Sequence, residues 1–232
     1  MKHALETNDL NTSLKKMKSE PPKYLQKGDG YRRVEPYDYT YETFAKGRWI
    51  GQSIASVFKA EFRDRSWEYY QRAIEEHRIR VNFKPTTADY IIDHHDVIQH
   101  FIHRHEPPVL DLAIDIVYED DNMLIINKPP SIPVHPSGRY THNSLLNILK
   151  YEMGYSNDLC LVNRIDRLTS GLVLLAKNKR TAQLKMREMM DRNIDKAYIA
   201  RVRGDFKWDE IECNEPMLVY AHKLGILVMI KV

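Results

Sequence analysis

Cysteine is almost absent: Cys160 and Cys213 are the only two in the 232-residue chain. They lie far apart and in no metal-ligand spacing, which argues against a disulfide scaffold and fits a reducing compartment. Also missing is any apolar run approaching the roughly 18 residues that a membrane helix needs. The opening MKHALETNDLNTSLKKMKSEPPK has no apolar signal core, and its Glu6 and Asp9 speak against a mitochondrial presequence. Cytoplasm or nucleus is the default compartment, with a mitochondrial location left open. No internal repeat or low-complexity tract occurs. Nor does one sign of charge dominate: 35 Lys and Arg stand against 32 Asp and Glu, a formal net charge of +3. That surplus permits nucleic-acid binding without requiring it, so the local clustering of cations decides.

What remains is an ordinary globular composition, long enough for one domain or two small ones. Residues 1–30 are polar and Lys-rich, end in Pro21-Pro22 and Gly28-Asp29-Gly30, and read as a flexible tail. The Tyr-rich YRRVEPYDYTYETFAKGRW reads as an extended lead-in that packs its rings on the next domain rather than as a stacking platform. GRWIGQSIASVFKAEF sets Ile50, Ile54, Val57 and Phe58 on one helical face. DRSWEYYQRAIEEHRI does the same with Trp67, Tyr70, Ala73, Ile74 and His77 behind an Asp/Ser cap. RIRVNFKP is a short strand entering a turn, and further strands are expected near Tyr90–Ile92 and Val97–Phe101. Lys46, Arg48, Arg63, Arg65, Arg78 and Arg80 would stud the outside of this unit, which residues 31–106 complete as an RNA-binding module. The cluster His94, His95, His100, His103 and His105 fits no standard zinc spacing and gains no Cys, so no metal is expected.

Pro107-Pro108 marks a boundary, and residues 107–232 read as a second domain. There AIDIVYEDDNMLIINKPP gives two strands around an acidic turn at Glu119–Asn122. A helix carries Leu145, Leu146, Ile148 and Leu149; GLVLLAKN is a strand apolar on both faces and hence central. RTAQLKMREMMDRN is helical and KAYIARVRG alternates as a strand. Strands mixed with helices, without regular βαβ alternation, predict an α+β fold.

Just before the central strand stands LVNRIDRLTSG, with Asp166 between Arg164 and Arg167. Three roles are open to this carboxylate. It can brace the turn together with Thr169 and Ser170. It can ligate a metal, although no His or second acid joins it within the motif. It can be a nucleophile, because nearby guanidinium groups favour the charged form of a carboxylate.

Three segments together, INKPPSIPVHP, NRIDRLTSGLVLLAKN and KAYIARVRG, resemble the RluA-type pseudouridine synthases in content and order, over Ile114 to about Gly225. The preceding KGRWIGQSIASVF…IRVNFK resembles the small αL-type RNA-binding domain, and PYDYTYETFAKGRW with HRHEPP is most similar to the eukaryotic branch of the family. The resemblance implies an α+β fold: the αL-type domain, then a mixed, mainly antiparallel sheet flanked by helices. It also implies isomerisation of uridine in RNA, tRNA before rRNA, with no metal and no organic cofactor. Asp166 would attack the target uridine, Arg164 would fill the space the extruded nucleotide leaves, and Tyr198 would lie against the uracil ring. Lys128-Pro129 and His135-Pro136 would support the active loop from beneath. A uridine within a stacked helix cannot be reached without flipping it out, at about a few kcal/mol. Two departures stand out: Asn163 replaces the family's His, and residues 205–232 hold no match to the family's G-R-x-H-Q-I-R segment, which supplies a basic partner for the nucleophile. The expectation is therefore a C-terminally truncated synthase, with a catalytically silent RNA-binding protein as the alternative.

Overall fold

The computed structural model describes residues 21–26, 28–62, 64–156, 158–207, 209–214, 217–221 and 226–229. The chain divides at Asp191 into two compact units. In the first, β1 (Tyr24–Gln26), β2 (Tyr31–Val34) and β3 (Tyr37–Phe44) precede a 3-10 turn at Gly47–Trp49, then α1 (Ile54–Glu61) and α2 (Trp67–Glu75). Next come β4 (Ile79–Val81), β5 (Lys84–Pro85), β6 (Val97–Arg104), β7 (Val109–Leu110), β8 (Asp115–Glu119) and β9 (Met123–Lys128). The unit ends with α3 (Leu145–Tyr151), β10 (Cys160–Leu161), β11 (Gly171–Ala176) and α4 (Lys179–Met190). The second unit carries the antiparallel pair β12 (Met217–Ala221) and β13 (Ile226–Met229).

The sheets run β3-β6-β4-β5, β10-β11-β9-β8 and β1-β2-β7. This is the expected α+β class, but every strand pairing among the described residues is antiparallel, so the parallel component anticipated in a mixed sheet is not seen. β11 lies inside its sheet, as its two-sided apolarity requires.

Two large cores and a smaller one, formed by Met123, Val162, Ala176 and Ala182, fill the first unit. Trp49, Ile54, Phe58, Tyr70, Ile79 and Ile98 bind α1 and α2 to the β3–β6 sheet. Leu124, Ile126, Val134, Ile148, Val173 and Leu175 bind α3 to the β9–β11 sheet. The Glu106 carboxylate joins the elements around them. It accepts from Tyr37 Oη at 2.6 Å, from the His142 amide at 2.8 Å and from the Asn143 amide at 2.9 Å. Burial and this carboxylate push the Tyr37 hydroxyl well above the usual tyrosine range.

Four local expectations are corrected. The first helix starts at Ile54 rather than near Ile50, because Gly51 takes φ +78° and the Ser53 side chain caps by accepting from the Ser56 amide at 3.2 Å. Ser66 occupies the N-cap of α2 without a side-chain cap bond, while Asp64 accepts from Tyr70 Oη at 2.6 Å. Near Tyr90–Ile92 there is only a single bridge, Ser53 to Ile91, since its partner segment turns at once into α1. Finally, within the stretch read as a tail, Tyr24–Gln26 pairs with β2, and Tyr24 Oη donates to the His142 carbonyl at 2.8 Å.

Two measurements follow. A charge-assisted hydrogen bond contributes about 1.5–3 kcal/mol, and Glu106→Gln turns one acceptor into a donor facing other donors. Urea denaturation should show a loss of about that size, and a variant within ~0.5 kcal/mol of the parent would contradict the account. The second concerns His100, held at about 4 by burial first and then by the charges of Arg78 and Arg65, with Asp64 opposing. Tyr69 Oη meets its Nε2 at 3.2 Å. The folded value lies below that of the unfolded chain, so the contribution is complete above the ordinary histidine range and is lost as pH falls toward 4. In His100→Gln the drop in urea midpoint over that window should shrink, whereas an equal drop in both proteins would exclude His100 as its source.

Candidate active site

The sequence around Asp166 forms a loop because both of its ends are tied to the sheet. At the near end, Val162 N donates to the Leu174 carbonyl at 3.0 Å, continuing the pairing of β10 with β11. Asn163 extends that ladder with its side chain. Its Oδ1 accepts from the Leu174 amide at 2.8 Å and its Nδ2 donates to the Leu172 carbonyl at 3.4 Å. The amide thus supplies both a donor and an acceptor where the family has His, and it anchors the loop. At the far end Gly171 takes φ +129°, a backbone region that side chains strain, before pairing with Lys128.

Between these ends the Thr169 amide donates to the Asp166 carbonyl at 3.1 Å, closing a turn. Ile165 packs on the second core and holds the turn down. Arg164, Asp166, Arg167 and Leu168 all point to solvent. The carboxylate has no hydrogen-bond or ion-pair partner among the described residues. Neither neighbouring arginine serves as its counter-ion, so adjacency in the sequence does not become pairing in space.

Lys128 lies beneath the loop with no solvent exposure. Its Nζ donates to the carbonyls of Pro129 and Ile132, each at 2.8 Å, and to that of Arg167 at 3.3 Å. Burial, then the charge of Arg167, pull its ammonium down to about 8. Above, the Arg167 guanidinium lies 5.5 Å from the centre of the Tyr140 ring, within cation–π range. Tyr140 closes a small hairpin by exchanging both backbone bonds with Ser137, at 2.9 and 3.0 Å. In the sequence SIPVHPSGRYTHN reads as a plain loop, and Arg139 and Tyr140 do not stand out. The signal that could have found them is an arginine and an aromatic directly after a turn glycine.

Tyr198 lies in the second unit and is 66% exposed. The strand expected over KAYIARVRG is not formed. Alternation describes two faces of an extended chain, but a strand also needs an edge to pair with, and this segment has none among the described residues. The cationic residues divide. Arg48 is committed to Glu61 through Nη2–Oε2 at 2.6 Å, and that partner holds the Glu61 carboxyl down to about 2. Arg78 donates to Glu76 at 2.7 Å, and Arg80 to the His77 carbonyl at 3.2 Å. Lys46 lies over the Trp49 ring and Arg65 over the Tyr69 ring. Arg63 lies outside the described residues. Among the described residues no group of three or more His, Cys, Asp and Glu side chains is gathered as a metal site.

Comparison with known proteins places this loop within a matched segment. Residues 122–223, which hold the whole Asp166 loop and Lys128, match the family model described as RNA pseudouridylate synthase. The tRNA pseudouridine(32) synthase, mitochondrial, of Saccharomyces cerevisiae is 37% identical over 97% of this chain and 48% of its own length. Pseudouridylate synthase RPUSD2 of Homo sapiens is 38% identical over 85% of this chain and 36% of its own length. The tRNA pseudouridine(31) synthase of Saccharomyces cerevisiae is 35% identical, over 79% of this chain and 50% of its own length. The chain thus spans half or less of the length of these relatives. With an exposed aspartate on a braced loop inside the matched segment, it belongs to the RluA-type RNA pseudouridylate synthase family.

Proposed function

We propose that this chain isomerises uridine to pseudouridine in RNA, with Asp166 as the nucleophile and tRNA as the substrate class. The observation that carries this reading is the solvent-facing Asp166 side chain on a loop tied at both ends. A nucleobase drawn out of a helix can approach such a group, whereas a buried carboxylate would be out of reach. The tRNA assignment draws on the names of the two Saccharomyces cerevisiae relatives. The compartment reading is cytoplasm or nucleus, and the mitochondrial location left open by the sequence draws support from the name of one of them.

In the proposed reaction the bond between ribose C1′ and uracil N1 breaks, the base turns while still held, and C1′ joins C5. The C5 proton leaves to solvent and N1 gains one, so nothing is oxidised or reduced. Asp166 attacks the uridine, and its bond to the substrate breaks again before the product leaves, so the carboxylate is regenerated. Arg164 occupies the gap left in the RNA, where a long cation can also meet phosphates. Tyr198 offers its ring to the base, a contact worth about 1–3 kcal/mol in stacking. Residues 31–106 act as the αL-type RNA-binding domain, with Lys46, Arg48, Arg63, Arg65, Arg78 and Arg80 as its phosphate contacts, and residues 107–232 as the synthase domain.

The test is release of tritium from tRNA labelled at uridine C5. The wild-type chain should release it with turnover, and Asp166→Ala should abolish release while binding the same RNA within about twofold. Binding without release in the wild type would favour the silent RNA-binding alternative. Release that survives Asp166→Ala would remove the aspartate from the chemistry.

A further inference from the structure

A second surface feature of the first unit has a chemistry of its own. Between strand β3 and the Ser137–Tyr140 hairpin lies a cleft of about 560 Å3. Its floor is the aromatic part of the first core, including Phe58, Phe62 and Tyr70. Its walls carry Tyr41, which is 43% exposed, and His100, with ring centres 6.3 Å apart and planes within 29°. Three cations line it: Lys46, Arg65 and Arg139. Arg139 is exposed and makes no hydrogen bond or ion pair among the described residues. Of the two acids present, Glu42 accepts from Gln99 Nε2 at 2.7 Å, while Asp64 accepts from Tyr70 Oη at 2.6 Å and pairs with Arg65 Nε at 3.8 Å, which leaves Lys46 and Arg139 as the cations without an ion-pair partner among the described residues. His100, held neutral by burial, adds a flat face rather than a charge.

The cleft is also joined to the Asp166 loop. Arg104 Nη2 donates to the Gly138 carbonyl at 2.8 Å, fixing the hairpin to β6, and its guanidinium lies 5.5 Å from the Tyr41 ring centre. At the other end of the hairpin Tyr140 carries Arg167, next to Asp166. One rigid turn therefore forms part of the cleft wall and touches the loop at once.

Flat aromatic faces with cations alongside suit unpaired nucleotides, whose bases can stack while their phosphates meet the charges. A paired helix keeps its bases inside and can use only the cations. We infer that this cleft takes an unpaired stretch of the RNA substrate, with a base against Tyr41 and His100 and phosphates at Lys46, Arg65 and Arg139. The inference rests on the RNA reading above and deepens it, since it makes substrate choice depend on a single-stranded segment held away from the target uridine.

Affinity decides it, independently of isomerisation. The probes are a hairpin RNA with an unpaired loop and a blunt duplex of the same length and composition, titrated at several salt concentrations. Tyr41→Ala should weaken hairpin binding about tenfold and duplex binding less than twofold, and Tyr41→Phe should match the wild type. Arg139→Ala, at an exposed position that folding does not need, should weaken hairpin binding and lower its salt slope by about 0.7, the share of one cation on a single strand. Lys185→Ala, on α4 and paired with Glu188, is the control and should change nothing. Hairpin binding within twofold of wild type in both Tyr41→Ala and Arg139→Ala would overturn the inference, and so would equal losses on hairpin and duplex. Should these binding differences appear without tritium release, the cleft stands and the isomerase reading fails. Tritium release with no binding difference would instead uphold the isomerase and remove the cleft from RNA recognition.

Discussion

An ammonium group closed off from solvent lies directly under the Asp166 loop. Lys128 Nζ gives its protons to three backbone carbonyls, two of them just downstream in its own strand exit and the third in the loop above. A buried cation is tolerated only where such oxygens replace water around it, and here the oxygens come from two separate segments. Removing the amine would leave carbonyls without donors. The tie therefore couples the exit of β9 to the position of Arg167, one residue from the carboxylate proposed as the nucleophile.

Around this tie the rest of the first unit acts as a frame. The Glu106 carboxylate fastens the Tyr-rich strand to the start of α3, and Arg104 fastens the Ser137–Tyr140 hairpin to β6. Through Tyr140 and Arg167 the frame reaches the loop from above while Lys128 holds it from below. The consequence is a surface aspartate whose main chain is fixed and whose side chain is free. The role proposed for Asp166, meeting an incoming nucleotide, would benefit from both properties, because a preset backbone lowers the entropy lost on docking.

Much of this could be read in the sequence, and the gaps have physical causes. Strands β8, β9 and β11 were legible because apolar runs there are bounded by an acidic turn and by Ser-Gly. The motif singled out Asp166 but left its role open among turn brace, metal ligand and nucleophile, and its exposure is a finding of the structure. The partnerships were not legible: guanidinium groups two residues before and one residue after Asp166 gave no hint that neither pairs with it, since local order carries no information about side-chain direction in a loop. Alternation at KAYIARVRG suggested a strand, but a strand is a property of two segments and only one was in view. The role of Glu106 depends on amides at His142 and Asn143, about thirty-six residues away, and no periodicity encodes such a contact. The cleft beside Tyr41 escaped for the same reason, because its walls come from segments far apart in the chain.

The claim most exposed to test is that the buried ammonium sets the loop for the reaction rather than only stabilising the fold. Lys128→Met keeps the length and apolar stem of the side chain and removes its donors. Single-turnover isomerisation by this variant, measured beside its RNA affinity at a temperature where both proteins are folded, should show a rate at least tenfold lower with affinity within about twofold. A rate equal to that of the wild type, with the loop carbonyls left undonated, would contradict the account.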